Sequence, residues 1–250
     1  NFRYILVDNI KTIFYALLIA VLIRSLFIQP FYIPSSSMEP TLLIGDRIFV
    51  SKSTYGYSRH SFPFSPSKHE SRIFNKNPKQ GDLVVFKTPV DNRTDYIKRL
   101  IGIPGDTIQF INGEIFLNNS KIPRKEITKS YNIRCGKLTC EVNAYKETLP
   151  NGESYIAVYR KDGTLKNTDL YTVPSGHYFF LGDNRDCSRD SRFLDSVGYV
   201  KKVNLVGKAQ FIFFSNDTIK SRLLKFWNLK NSLRTDRFFK KLWLTEKFLS

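Results

Sequence analysis

One apolar run near the amino end constrains this chain more than any other feature. Residues 13–23 read IFYALLIAVLI, eleven apolar residues without a break. Ile5, Leu6, Val7 and Ile10 extend the run on one side, and Leu26, Phe27 and Ile28 on the other, with Asp8, Lys11 and Arg24 as interruptions. A helix rises about 1.5 Å per residue, so about 20 residues cross a hydrocarbon core. Residues 10–31 are long enough, with Lys11 and Arg24 snorkelling to headgroups at the two ends. Phe31 and Tyr32 then suit an aromatic interface belt. No small-residue cleavage site follows, which disfavours a cleaved leader. The remaining alternative to a membrane anchor is a buried helix of a soluble protein. Arg3 and Lys11 give a mild positive-inside bias at the amino end.

Beyond the run the pattern changes from continuous to short. Residues 47–51, 83–87, 107–111, 114–117, 155–159, 177–181 and 209–214 are β-branched and aromatic stretches separated by Gly-, Pro-, Asn- and Asp-rich turns. Asn112-Gly113 between two of them is a two-residue hairpin signal. No crossover helix of adequate length lies between the strands, so a parallel α/β sheet is excluded in favour of a mainly β, antiparallel domain. The expected organisation is an amino end and anchor over 1–31, followed by a main β core over 32–117 and 174–218, to which the chemistry below is assigned. Within it, 53–80 is a loop excursion. A smaller β subdomain is inserted over 118–173, and a basic amphipathic tail occupies 219–250. That tail carries nine Lys or Arg against Asp236 and Glu246, interleaved with Leu223, Leu224, Phe226, Trp227, Leu229, Phe238, Phe239, Leu242 and Trp243. It reads either as a helix on an anionic membrane or as a solvated helix capping the β domain.

Composition matters where it limits partners. The 39 Lys and Arg against 22 Asp and Glu leave a formal net charge of +17, which points to a polyanion, nucleic acid or an anionic membrane surface. Three Cys are too few for a disulfide-stapled mini-protein, and no Cys/His cluster has metal spacing. Neither metal nor cofactor is expected.

Four patches carry chemistry. Residues 34–42 read PSSSMEPTL and place serines in a Pro-bounded turn, a restricted backbone that can present a hydroxyl. Residues 95–100 read DYIKRL. Strand alternation can turn Lys98 inward, where burial lowers an ammonium pKa towards neutrality. Residues 81–87, GDLVVFK, are a core strand. Residues 182–192, GDNRDCSRDSR, alternate three Arg with Asp183, Asp186 and Asp190, a pattern for interlocking ion pairs.

In this order and spacing the four patches resemble the sequence boxes of bacterial type I signal peptidases, membrane-anchored Ser–Lys endopeptidases. The matching residues are Ser-Met-x-Pro-Thr-Leu at 37–42, Gly-Asp-x-Val-Val-Phe at 81–86, and Tyr-Ile-Lys-Arg with Gly-x-Pro-Gly-Asp within 96–106. The fourth match is Gly-Asp-Asn-Arg-Asp-x-Ser-x-Asp-Ser-Arg at 182–192. The clear likeness covers 24–52, 81–107 and 174–214.

The resemblance implies a nucleophile, Ser37, and a neutral general base, Lys98. It implies that Ser188 orients the lysine and that the Ser37 N–H and the Ser35 hydroxyl hold the oxyanion. Asp190 and Arg192 fall on paired charges that stiffen the site. Phe31, Ile33, Met38, Leu42, Val85, Tyr96 and Ile97 fall where the family lines two shallow apolar pockets for Ala-x-Ala signal peptides. Substrate would add as a strand beside the Tyr96-Ile97 edge. The implied partners are exported preproteins and anionic phospholipid, not nucleic acid. The implied place is a bacterial plasma membrane, single-pass, with the β domain outside and the amino end cytoplasmic. Some relatives carry a disulfide near the inserted region, which leaves open a Cys135–Cys140 pair. Cys187 reads as filler at a variable box position.

Three rivals remain. A conventional triad would use His177 as base with Asp183 or Asp186 as orienter. The SOS-repressor class shares Ser–Lys chemistry, but its members are soluble and carry a DNA-binding module. A non-enzymatic basic β protein rests on charge alone, and no nucleic-acid module accompanies that charge.

Overall fold

The computed structural model describes residues 2–61, 71–136, 138–163, 166–217 and 232–242. Its helix α1 spans Phe2–Leu26. The window Tyr4–Leu22 has a mean hydropathy of 2.0 and is 0% buried, so its apolar surface is left uncovered by the described residues. Nineteen residues rise roughly 28 Å, close to the hydrocarbon thickness of a bilayer. This helix is long and apolar enough to cross a membrane. It starts earlier and ends earlier than the span expected over 10–31. Asp8 and Lys11 lie exposed in its amino-terminal half, where the long Lys11 side chain can snorkel towards headgroups, and the Thr12 hydroxyl donates to the Asp8 carbonyl at 2.9 Å. At the other end residues 28–32 leave the helix for a sheet, where cross-strand bonds satisfy the backbone.

Fifteen strands follow among the described residues. In chain order they begin with β1 (Ile28–Tyr32), β2 (Asp46–Ser51), β3 (Leu83–Lys87), β4 (Asp95–Gly102) and β5 (Thr107–Ile111). Next come β6 (Glu114–Leu117), β7 (Ser120–Lys121), β8 (Arg124–Cys135), β9 (Leu138–Thr148) and β10 (Ser154–Arg160). The last are β11 (Tyr171–Thr172), β12 (His177–Leu181), β13 (Val200–Lys201), β14 (Leu205–Ser215) and β15 (Lys240–Lys241). The main sheet has the order β1-β2-β14-β3-β4-β12-β13, with β15 added to β14. Two smaller sheets have the orders β10-β9-β8 and β11-β5-β6-β7. Every named pairing is antiparallel, so the molecule is mainly β.

The burial pattern explains why these segments are strands. Ile48 and Val50 of β2 are buried while Arg47 points out, a period of two with one face on the core. β3 is buried on both faces, with Leu83 and Val85 in one apolar cluster and Val84 and Phe86 in another. Asn112 and Gly113, at φ 52° and 76°, form the β5–β6 turn. That pair of positive φ values is what a type I′ hairpin needs.

One expectation is corrected and two are refined. β5 and β6, expected in the β core over 32–117, form a sheet of their own with β7 and β11. Ile108 and Phe110 pack there against Phe179, Tyr171 and Tyr155 in their own apolar cluster. The tail was expected as a helix, lying on an anionic membrane or capping the β domain; its described part, 232–242, lies on the β domain, with a 3-10 turn at Thr235–Arg237 and the short strand β15. There Arg237 is buried in an ion pair with Asp46 at 2.5 Å, β15 pairs with β14, and Leu242 joins the core. Residues 218–231 and 243–250, including Leu223, Leu224, Phe226, Trp227, Leu229 and Trp243, lie outside the described residues. So do 62–70 of the loop excursion. Lastly, Cys135 is bonded to Cys187, and Cys140 is a free thiol. Across the β8–β9 ladder Cys140 stands opposite Ile133, out of register with Cys135, whereas the end of β8 lies against the loop that carries Cys187.

Candidate active site

Ser37 sits on the connection between β1 and β2, and two buried apolar side chains hold that connection down. Met38 and Leu42 are 1% and 0% exposed, and the Leu42 N–H donates to the Met38 carbonyl at 2.8 Å. Ser36 and Ser37 are therefore pressed into the body of the protein, with Ser37 8% exposed. Lys98 comes from β4. Alternation puts Tyr96 and Lys98 on one face, and the Lys98 ammonium lies 5.6 Å from the Tyr96 ring centre. Lys98 is 3% exposed, and its Nζ is hydrogen-bonded to Ser37 Oγ.

Electrostatics around this pair are uneven. Burial pulls Lys98 down from the ordinary lysine range to about 8, against the Asp190 and Asp183 carboxylates, which raise it. The acids are themselves engaged. Arg99 forks onto Asp183 at 2.8 and 2.7 Å, and the Thr41 hydroxyl donates to the same carboxylate at 2.5 Å. Arg192 forks onto Asp190 at 2.8 and 2.9 Å, and the Gly182 N–H adds a bond at 3.0 Å. Burial pushes the Asp190 carboxyl up, but Arg192 and these bonds outweigh it and leave the group below its usual range. With both carboxylates neutralised by arginine, desolvation decides the state of Lys98.

The pair opens on a cleft of about 370 Å³. Phe31, Ile33, Val85, Tyr96 and Ile97 line it, with Ile48, Ser35 and Arg189 among the others. Met38 and Leu42 lie under the floor instead, packed with Ile33 and Val85 in one buried cluster. Along one wall the edge of β4 is free. β12 pairs with β4 from Arg99 onward, and residues 95–98 have no neighbour on that side among the described residues. The cleft thus joins a hydroxyl, a desolvated amine, apolar walls and an open strand edge.

The remaining residues from the sequence fall as follows. Ser35 Oγ lies 3.3 Å from Ser37 Oγ. Ser188 is 5% exposed, yet its hydroxyl has no hydrogen-bond partner among the described residues. A Cβ on Gly182 would fall 2.1 Å from that hydroxyl oxygen and 2.6 Å from the Ser37 carbonyl, so only glycine fits between the two loops. His177 bonds the Ser175 carbonyl through Nδ1 at 2.9 Å and does not line the cleft. Asp186 accepts from the Arg160 N–H at 2.8 Å, and Asp183 belongs to Arg99, so no histidine triad is assembled. Lys52 is a second buried lysine, but its Nζ donates to the Ser61 carbonyl rather than to a hydroxyl.

Sequence reasoning passed over several residues that hold this site. Arg185 is buried with Glu147, their charges 2.7 Å apart, and the Tyr155 and Tyr159 hydroxyls complete the cluster. Asn184 donates to the Ser36 carbonyl at 3.0 Å, and Glu39 accepts the Arg134 N–H at 2.9 Å. Thr41, Arg99 and Arg185 stood inside the matched boxes. Glu147 had no local signal, because its partner is remote in sequence.

Known proteins resemble this chain over most of its length. A family profile described as "Signal peptidase, peptidase S26" matches residues 6–214. Signal peptidase I of Rickettsia prowazekii (strain Madrid E) is 42% identical over 247 residues, covering 92% of this chain and 91% of that protein. Signal peptidase I of Rickettsia canadensis is 42% identical over 256 residues, covering 95% and 94%. A crystal structure of a signal peptidase I from Enterococcus faecalis aligns with 53% of this chain and 97% of that one, at 24% identity and a TM-score of 0.32.

Proposed function

The chain belongs to the signal peptidase family and is a serine endopeptidase, and from that premise we propose that it removes signal peptides from exported preproteins with Ser37 and Lys98. The observation that carries the reading is the buried contact between Lys98 Nζ and Ser37 Oγ, with no ion pair to the lysine among the described residues. When Lys98 is neutral, the Ser37 hydroxyl donates to its lone pair and gives up the proton as it attacks the scissile carbonyl. The tetrahedral oxyanion then meets the Ser37 N–H and the Ser35 hydroxyl. Lys98, now protonated, delivers its proton to the leaving amine, and the acyl-enzyme is hydrolysed by the same steps with water as nucleophile. Ser188, whose buried hydroxyl makes no hydrogen bond among the described residues, is assigned to orient the amine once substrate is bound, and Asp190 with Arg192 to keep its surroundings rigid.

The substrate strand pairs with the free edge at 95–98, so its alternate side chains enter the apolar cleft. Walls made by Phe31, Ile33, Val85, Tyr96 and Ile97 leave room for small residues, which matches cleavage after Ala-x-Ala. Helix α1 anchors the enzyme in the bacterial plasma membrane with its β domain on the outer side. The positive charge favours anionic phospholipid there.

The test is processing of a model preprotein in detergent by the parent, Ser37→Ala and Lys98→Met proteins. Both variants are expected to lose cleavage while keeping their circular dichroism. For the parent, kcat/KM rises about tenfold per pH unit up to about 8 and then levels, because the neutral amine is the active form. Cleavage that survives Lys98→Met, or a profile flat from pH 6 to 9, refutes the dyad.

A further inference from the structure

The end of β8 is fastened to the active-site loops by several independent bonds. The Arg134 N–H donates to Glu39 Oε2 at 2.9 Å, two residues after Ser37. The Arg134 carbonyl accepts from Asn184 Nδ2 at 3.1 Å, and that same amide donates to the Ser36 carbonyl at 3.0 Å. The Asn184 N–H donates to the Ser37 carbonyl at 3.2 Å. The next residue along β8, Cys135, is bonded to Cys187, which stands beside Ser188 and lines the cleft. Ile133 is buried in the cluster that holds Met38. The two loops lie far apart in sequence, and this short segment is where both are held.

We propose that residues 133–135 are a positioning clamp for the Ser37 loop, and that the Cys135–Cys187 bond is its thiol-sensitive latch. The proposal rests on the Ser37–Lys98 reading and adds a condition to it: the peptidase runs at full rate only while the latch is closed. Both cysteines are half-buried and Cys187 faces the cleft, so a small dithiol reaches them. One thiolate of the reductant attacks a sulfur of the bond and releases the partner cysteine, and its second thiolate displaces the first cysteine. Two electrons and two protons pass to Cys135 and Cys187, and the reductant leaves as a cyclic disulfide. Opening the latch frees the loop that carries Ser188 but leaves Phe31, Tyr96, Ile97 and the β4 edge in place. The chemical step suffers and substrate binding does not.

The experiment is steady-state cleavage of a preprotein by full-length Cys140→Ser protein, oxidised, reduced with dithiothreitol, and reoxidised, with thiols counted at each stage. Removing Cys140 takes away the free thiol and keeps the bond. Reduction is expected to lower kcat about tenfold or more, since small misplacements of reacting groups are costly. KM should stay within about twofold, the mark of a lost transition-state interaction. Reoxidation restores the rate, and a Cys135→Ser/Cys187→Ser protein shows the low rate and no response to dithiothreitol. Glu39→Leu lowers kcat in oxidised enzyme, whereas Glu39→Gln, which keeps an acceptor oxygen, does not. Unchanged kcat after complete reduction overturns the proposal. So does a rise in KM at constant kcat, or an activity loss that tracks loss of near-ultraviolet circular dichroism, because the bond would then hold the fold rather than the loop. Ser37→Ala assayed in parallel separates the two claims: its activity tests the dyad whatever reduction does.

Discussion

At the scale of single residues, the cost of burying Lys98 is the central quantity. An unfolded lysine titrates near 10.4, roughly two units above Lys98 in the folded chain. Between those values the unfolded state holds more protons, so stability rises with pH across that window. Replacing the amine with Met removes a penalty that is fully present below about 8 and absent above about 10.5. Lys98→Met is therefore expected to unfold at higher temperature than the parent at pH 7, with an advantage on the order of 3 kcal/mol. The advantage shrinks as pH rises to 10, and thermal melts at several pH values read it. Gly182 supplies the second residue-scale case. Gly182→Ala pushes a methyl into the Ser188 hydroxyl and the Ser37 carbonyl, both within 3 Å of the new carbon. Cleavage should fall by at least about a hundredfold through displacement of the reacting groups, while far-ultraviolet circular dichroism stays native.

Among elements, Asp46 joins more of the fold than its position at the start of β2 implies. It accepts from the Leu43 N–H at 2.8 Å and the Ser215 hydroxyl at 2.6 Å, and it pairs with buried Arg237. One carboxylate thus ties the serine loop, β14 and the 232–242 segment together. Asp46→Ala leaves the Arg237 guanidinium buried without its counter-charge, and urea unfolding should show a loss of about 3–5 kcal/mol. Elements also differ in how plainly they could be read. β3, β5, β6 and β12 were legible to the residue, because each is a short apolar run closed by turn residues. β8 and β9 were read only as part of a β region, since their long ladder is Lys-, Asn- and Glu-rich and much of it faces water. β1 was hidden inside the anchor pattern, because Ile28 and Phe31 are as apolar as the lipid-facing residues before them.

For the molecule as a whole, α1 contributes no packing to the described part of the β domain along its apolar window. On the proposed reading, its value is to hold the cleft at a surface where substrate also lies, a gain in effective concentration rather than in catalysis. A protein lacking Phe2–Leu26 should cleave a short soluble peptide within about twofold of the parent rate and a vesicle-embedded preprotein at least about tenfold more slowly. Equal loss on both substrates would mean that the helix supports the fold instead. The net charge of +17 acts at the same scale, and the rate on anionic vesicles should fall as salt screens it.

Reading residues in order was enough to assign a membrane-length helix, an antiparallel β body and the four boxes that contain Ser37, Lys98, Ser188 and Asp190. Those features are local: a hydropathy run, a period of two, turn residues at fixed offsets. Chain folding alone decided that Cys135 meets Cys187 rather than Cys140, that Arg185 meets Glu147, and that the segment containing Arg237 docks on Asp46. Each of these joins groups far apart in sequence whose partners are chosen by sheet register and by the need to pair buried charge. No stretch of neighbouring residues carries that information, so only three-dimensional packing could supply it.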